Sequence, residues 1–346
     1  MKIAILHGEV AKGASPDEQD VLAEVAFVSD GLARLGHEPF TVPVSLNLEK
    51  SMQTLSNLRP AIVFNLVESL SGKGCLIHMA PALLDALGIP YTGARTEAMF
   101  LTSNKILAKQ VLAGAGLPTP AWFSEEKTPK ITTGKEAWIV KSLWEHASVG
   151  LDEDSVFFNA TQEKIVEEMA ARRKQLGGTC FAERFIDGRE FNVSLLAGGN
   201  PPPLPWEGKF AEGGMMTLSG KNDPEVLPPA EIRFDAYPQG KVRVVGYRAK
   251  WVQNSSEFAE TTRRFDFPLA DAPLLSRIGE LSFKCWRLFG LRGSARVDFR
   301  VDSTGHPWIL EVNANPCLSP DAGFPAAAAQ AKMGFTDVLS RIINDV

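Results

Sequence analysis

Two stretches near the end of the chain, Gly293-Ser-Ala-Arg296-Val-Asp298-Phe-Arg300-Val301 and Trp308-Ile-Leu-Glu311-Val-Asn313-Ala-Asn315-Pro316, constrain this sequence more than any other segment. Both alternate apolar and polar residues with period two, the mark of strands with one buried and one polar face. The alternation sends Ala295, Val297 and Phe299, with Trp308, Leu310 and Val312, to one side, and Arg296, Asp298, Glu311 and Asn313 to the other. The intervening Asp302-Ser-Thr-Gly305 reads as a turn, so the strands form an antiparallel hairpin. Pairing Val301 with Trp308 puts Asp298 opposite Glu311 and Arg296 opposite Asn313. Directly opposed carboxylates repel unless a cation lies between them. Asp, Glu and Asn oxygens are hard ligands of the kind that hold Mg²⁺ together with phosphate oxygens. A surface hairpin with solvated charges is the competing reading.

The rest of the chain alternates strand and helix signals. Residues 2–6 read as a buried strand, and residues 20–35 carry Val21, Val25, Val28, Leu32 and Leu35 at helical spacing before a stop at Gly36. Residues 61–65 are a second strand, 80–87 a helix stopped at Gly88, and 89–93 a short strand and turn. Residues 1–100 thus form an open parallel α/β domain. Ser103 reads as the cap of a helix over 104–115, which places Lys105 and Lys109 on one face. A strand at 138–141, a loop at 145–150, a helix at 162–176 and a strand at 180–186 make residues 101–186 a compact subdomain. Residues 187–346 carry strands at 190–196, 242–252, 295–301 and 308–312, helices at 274–289 and 333–345, and Pro- and Gly-rich loops near 199–214 and 222–229. The fold class is α/β with α+β subdomains. A chain of 346 residues exceeds the size at which a single core keeps growing, so a cleft between subdomains is expected.

Composition narrows the partners. With 45% hydrophobic and 22% charged residues the chain is globular, which excludes fibrous and disordered classes. Lys and Arg total 36 against 41 Asp and Glu, a net charge of -5, so there is no basic field to draw nucleic acid or anionic lipid. Cys75, Cys180, Cys285 and Cys317 lie far apart without a paired spacing, which fits reduced thiols in a cytoplasmic protein, with Cys285 in a core helix. The opening Met1-Lys2-Ile3-Ala4-Ile5-Leu6 is too short for a leader, and no run approaches the roughly 20 apolar residues of a membrane span. His7 and His78 have no second histidine at ligand spacing and read as structural or surface residues.

The sequence contains no P-loop, no Gly-x-Ser-x-Gly elbow and no His-Glu-x-x-His helix, and Gly72-Lys-Gly74 lacks the third glycine of a dinucleotide fingerprint. Phosphates would therefore be held by separate lysines, with Lys105, Lys141 and Lys250 as candidates, beneath a small loop spanning residues 145–150.

In combination these segments resemble the ATP-grasp superfamily, and within it the D-alanine–D-alanine ligase group. The resemblance runs through Gly88-Ile-Pro-Tyr-Thr-Gly93, Ser103-Asn-Lys105, Gly116-Leu-Pro118, Ile139-Val-Lys141, Ser148-Val-Gly150, Glu183-Arg-Phe-Ile186 with Glu190, Ala249-Lys250 and the hairpin from Arg296 to Pro316. It implies an ATP-grasp fold behind a pre-ATP-grasp α/β domain, with ATP and two Mg²⁺ ions, or Mn²⁺ in their place, as cofactors. Lys105, Lys141 and Lys250 would contact ATP phosphates under a loop containing Ser148. Glu183 and the backbone of Arg184 and Ile186 would read the adenine, and Glu190 the ribose. Asp298, Glu311 and Asn313 would bind the metals, Arg296 would stabilise the oxyanion, and Glu18 would hold the first substrate's ammonium group. A homodimer is compatible with the resemblance.

The departures bear on substrate. His146-Ala147-Ser148-Val149-Gly150 stands where the family has Gly-Ser-Ser-Val-Gly, and Lys250-Trp251 where it usually has Lys-Tyr or Lys-Phe. A Glu–Ser–Tyr hydrogen-bonded latch cannot form from Glu18, Ala147 and Trp251. Where the family has Gly then Ser near the second substrate's carboxylate, this chain has Cys317 and then Ser319-Pro320-Asp321-Ala322-Gly323, and an acid such as Asp321 facing that site would favour a cationic acceptor. Asn65-Leu-Val-Glu68 also differs from the family's Leu-His-Gly stretch. The expected activity is ATP-dependent amide formation from a small-molecule carboxylate and an amine, through an acylphosphate. An ATP-grasp phosphotransferase and a non-catalytic nucleotide-binding protein are the alternatives.

Overall fold

The computed structural model describes residues 1–124, 136–176, 178–198 and 223–346. The chain opens with β1 (Lys2–Gly8), α1 (Pro16–Arg34), β2 (Glu38–Val44), α2 (Leu48–Leu58) and β3 (Ile62–Asn65). These strands form a parallel sheet in the order β2-β1-β3, and a parallel bridge from Val63 to Tyr91 extends it. Parallel neighbours require crossovers, and α1 and α2 supply them. β1 is buried on both faces. Ile3 and Ile5 pack with Val28 and Leu32 of α1, whereas Ala4 and Leu6 pack with Leu55 of α2 and Leu84. α1 begins at Pro16 rather than at residue 20, because Ser15 and Glu18 form a capping box ahead of the apolar periodicity.

Next come α3 (Met79–Leu87), α4 (Thr96–Ser103) and α5 (Lys105–Gly114). The cap of α5 is Asn104, whose side chain accepts from the amides of Ile106 and Leu107, and not Ser103, which ends α4. β4 (Trp122–Phe123), β5 (Trp138–Ser142), β6 (Val156–Phe157) and β7 (Cys180–Arg184) form an antiparallel sheet in the order β4-β7-β5-β6. α6 (Gln162–Leu176) lays Ile165 and Met169 on Trp138, Val140 and Ala182 of this sheet.

The largest sheet is antiparallel. It takes β8 (Arg189–Leu196), β9 (Glu225–Val226), β10 (Ala230–Arg233), β11 (Thr262–Arg264), β12 (Ser294–Val301) and β13 (Pro307–Asn313) in the order β11-β10-β8-β12-β13, with β9 beside β8. The loop near 199–214 lies outside the described residues, and the expected loop at 222–229 contains β9. Residues 242–252 are not a strand. They run irregularly into the short helix α7 (Tyr247–Trp251), followed by α8 (Ser256–Glu260), because their apolar alternation is spent on packing Val244 and Ala249 and not on a ladder. α9 (Ala272–Phe289) covers one face of the large sheet, with Ile278, Leu281 and Cys285 on Val193, Val297 and Phe299. The chain closes with α10 (Gly323–Gln330) and α11 (Phe335–Asn344). α11 returns to the first sheet, where Phe335 stacks on Phe27 of α1 at 4.0 Å between ring centroids. Gly31 of α1 makes this approach possible, since a side chain there would run into Leu339 and Phe335. No helix among the described residues is long and apolar enough to cross a membrane.

Candidate active site

The hairpin of β12 and β13 pairs Arg296 with Asn313 and Asp298 with Glu311, as the alternation predicts. The register then shifts at Asp298/Phe299, so Phe299 faces Ile309 and Val301 faces Pro307 rather than Trp308. One extra residue reverses the parity of every position beyond it. Ile309 is therefore the fully buried core residue, and Leu310, expected on the core side, lines the polar pocket. Trp308 also leaves the core. Its indole donates to Asp302 Oδ2 at 2.9 Å and lies under the Arg184 guanidinium.

On the polar face, the two opposed acids have separate cationic partners, and that of Asp298 is Arg296. It grips both Asp298 oxygens at 2.7 and 2.8 Å, and Asn192 donates to the same carboxylate at 2.8 Å. Glu311 lies 3.7 Å from Lys105 Nζ and 3.2 Å from His146 Nδ1. Burial pushes the Glu311 carboxyl up, but Lys105, His146 and Arg296 outweigh it and hold the group well below the usual carboxylate range. Asn313 Oδ1 accepts from the Asn315 amide at 3.0 Å. Asp298, Glu311 and Asn313 thus place three hard oxygen donors on one wall, each with lone pairs to spare, a set that fits a divalent cation shared with phosphate.

One pocket collects Lys105, Lys141, Lys250, Arg296, Glu311 and Asn313 beneath the 145–150 loop. The loop turns sharply, with Ala147 and Ser148 at φ +56° and +61°. It is tied down at three points. Lys105 Nζ donates to the Glu145 carbonyl at 2.7 Å, Ser148 Oγ to the Val245 carbonyl at 2.8 Å, and Trp251 Nε1 to the Ala147 carbonyl at 3.0 Å. α7 therefore contributes Lys250 to the pocket and Trp251 to the clamp. Burial in the cleft and the neighbouring Arg296 push the Lys250 ammonium below its ordinary value.

Other expected residues lie elsewhere. The Glu183 carboxylate, 1% exposed, is held between Lys141 and Lys109, the latter at 2.6 Å, so it faces lysines on both sides. The Arg184 amide already donates to the Ala121 carbonyl at 2.8 Å. Ile186 is buried, and Glu190 pairs with Arg300 at 2.7 Å. Glu183, Arg184, Ile186 and Glu190 do not line the pocket. Glu18 accepts from both the amide and the hydroxyl of Ser15 as part of the α1 cap. Asp321 is exposed, and it is its carbonyl that accepts from Arg263 at 2.7 Å.

α1 presents an acidic wall to Tyr247 and residues 317–319, which sequence reasoning misses. Asp17, Asp20 and Glu24 recur at i, i+3 and i+7 on α1, so they share one face, and that spacing was the available signal. Asp17 accepts from the Tyr247 hydroxyl at 2.8 Å, Asp20 from Ser319 Oγ at 3.0 Å, and Glu24 from the Leu318 amide at 2.6 Å. Cys317 Sγ donates to Asp20 at 3.3 Å, and ligand atoms of Glu24, Glu68 and Cys317 lie within 4.8 Å of one another. Burial and the surrounding acids push the Glu68 carboxyl up to about 7, against Arg296 and Lys250, which lower it. Burial pushes the Cys317 thiol up as well, so it is not a ready thiolate.

The chain is similar to known proteins over its whole length. Residues 213–344 match the family model described as D-ala D-ala ligase C-terminus. The chain is 29% identical to the D-alanine–D-alanine ligase of Moorella thermoacetica, over 99% of this chain and 98% of that protein. It is 27% identical to the D-alanine–D-alanine ligase of Aquifex aeolicus, over 99% and 100%. Among solved structures, the Bacillus anthracis D-alanine–D-alanine ligase complexed with ATP superposes with a TM-score of 0.68 at 18% identity, covering all of this chain and 97% of the other.

Proposed function

Because the chain is a D-alanine–D-alanine ligase-like protein with the α/β ATP-grasp fold, we propose that it is an ATP-dependent carboxylate–amine ligase with a substrate other than D-alanine. The amide forms through an acylphosphate. The observation that carries the reading is the convergence of three lysines, Arg296 and the oxygens of Glu311 and Asn313 on one loop-covered pocket. Mg²⁺ bound at Asp298, Glu311 and Asn313 would neutralise phosphate charge during transfer.

The chain's own residues supply the rest. Lys105, fixed by the Glu145 carbonyl, and Lys141 and Lys250 present ammonium groups to the phosphates. The clamped 145–150 loop covers them and excludes water from the labile acylphosphate. Residues 101–186, which carry this loop, act as the lid. Arg296, held in one orientation by Asp298, is preorganised to stabilise the oxyanion as the amine attacks, a role worth several kcal/mol, roughly 3–4.

Divergence from D-alanine is supported by the clamp and the acidic wall. Trp251 closes the loop through a backbone carbonyl, with no hydroxyl from Ala147, and Glu18 is occupied by Ser15. Purified protein with Mg-ATP should release phosphate with one amino-acid or amine pool and yield a new amide mass. Phosphate release with only a phosphorylated acceptor would make the protein a phosphotransferase, and the D-alanine dimer as sole product would remove the substrate claim.

A further inference from the structure

Lys141 has two claims on its ammonium group. It lines the phosphate pocket, and it is also ion-paired with Glu183 Oε1. The register of β5 and β7 explains the pairing. Lys141 lies opposite Phe181 and Ile139 opposite Glu183, so the lysine and the acid are diagonal neighbours on one face of that sheet. A pocket lysine neutralised by an acid in this way would bring little positive charge to a phosphate.

Lys109 alters that balance from behind. It follows Lys105 by one turn on α5, but its side chain is 1% exposed, against 19% for Lys141, and it does not line the pocket. Its Nζ lies 2.6 Å from Glu183 Oε2, 2.9 Å from Thr119 Oγ1 and 3.3 Å from the Pro120 carbonyl. The Thr119 hydroxyl donates to the Ile309 carbonyl at 2.9 Å, so its oxygen accepts from Lys109. Three acceptors around one nitrogen need three N–H bonds, which an ammonium has and a neutral amine lacks. Burial pushes the Lys109 ammonium below its ordinary value, and Glu183 works against that. The Glu183 carboxyl is pushed up by burial, but Lys109 and then Lys141 outweigh this and hold it below its ordinary value. One buried carboxylate thus faces two ammonium groups, and the cluster keeps a surplus positive charge. Because Lys109 is enclosed and anchored, the surplus is carried by Lys141, on a flexible stem at the pocket.

We propose that Lys109 is a positioning residue for nucleotide binding: it neutralises Glu183 from inside the fold and so leaves the Lys141 ammonium free to bind phosphate. The inference rests on the ATP-pocket part of the ligase reading. Without Lys109, Lys141 would be the only cation paired with Glu183 among the described residues. Moving it to a phosphate would then strand a buried charge, which is strongly unfavourable. With Lys109 in place the same exchange leaves Glu183 paired, so Lys141 can pass between acid and phosphate.

Mg-ATP binding, measured by calorimetry on the purified protein without a second substrate, tests this. Lys109→Met should raise the Kd for Mg-ATP about tenfold or more, because Lys141 is then retained by Glu183. In a Glu183→Gln background there is no carboxylate to neutralise, and adding Lys109→Met should change the Kd by less than about twofold. In a Lys141→Met background it should likewise add nothing. A lysine that serves only the fold would weaken binding in all three backgrounds, and that result would overturn the proposal, as would unchanged binding in Lys109→Met alone. Should Lys109→Met not fold by itself, the Glu183→Gln pair still decides, since a tenfold loss there would show that Lys109 does not act through the acid. Failure of the unaltered protein to bind Mg-ATP would overturn this inference and the ligase reading together, whereas ATP binding without any amide product would remove the ligase reading and leave this inference to the variants.

Discussion

Glu68 shows how one side chain can couple the site to stability. Its carboxyl is pushed up to about 7 by burial and by Asp20, far above the ordinary value of 4.5. A carboxyl raised in the folded state binds its proton more tightly there than in the unfolded chain. Its contribution to stability is therefore complete below about pH 4.5 and is lost as pH rises through 7. Glu24, raised by burial and by Glu68, acts in the same direction. Groups held low, such as Glu311, act in the opposite one. Urea midpoints at pH 5 and pH 8 isolate the Glu68 part when the native protein is compared with Glu68→Gln. The variant should gain relative stability at pH 8. An identical pH 5-to-8 change in both proteins would show that Glu68 is not strained by its ionisation.

Among the elements, α7 has the clearest consequence beyond its five residues. It replaces an expected strand, and as a helix it places Lys250 in the pocket and Trp251 against the loop, with Tyr247 reaching Asp17 of α1. A strand would have alternated these neighbours between opposite faces. The Trp251 bond to the Ala147 carbonyl is worth about 1 kcal/mol, or roughly a fivefold change in the closed population of the loop. Trp251→Phe keeps the ring and removes the donor. It should therefore speed proteolytic cleavage within residues 145–150 by several-fold, and equal cleavage rates would show that the loop is closed by other contacts.

For the molecule as a whole, the last helix governs whether the first sheet has a complete core. Val338, Leu339, Ile342 and Ile343 of α11 are buried, in one cluster with Ile3, Ile5, Val28 and Leu32. Burial of one such side chain contributes about 1.5–3 kcal/mol, so the four together reach about 6–12, comparable to the whole net stability of a domain. Removal of residues 335–346 should therefore abolish cooperative unfolding and expose apolar surface, read as loss of the thermal transition and binding of a hydrophobic dye. A truncated protein with a sharp transition near the native one would contradict this. The same packing sets α1 against residues 317–319, and so places Asp20 and Glu24 at the cleft.

The strand pattern of the hairpin, the helical run of α1 and α9, and the pairing of Asp298 with Glu311 were legible in the amino-acid sequence, because side-chain parity and helical repeat are local properties of the backbone. The resemblance carried by the short motifs added the fold family. The shift after Asp298 was not legible, since a bulge depends on how β13 meets its neighbours, and it moved Leu310 and Trp308 out of the core. Nor were the partners of Glu183 and Glu18 visible. The first lies between two lysines from α5 and β5, and the second caps its own helix. The acidic wall joins residues far apart in the chain, Glu24 with Leu318 across 294 positions and Asp17 with Tyr247 across 230. Such contacts exist only after apolar burial has brought α1, α7 and α11 together, and burial is non-directional: it specifies that faces meet, while the shapes of both faces specify which polar groups end up opposite each other.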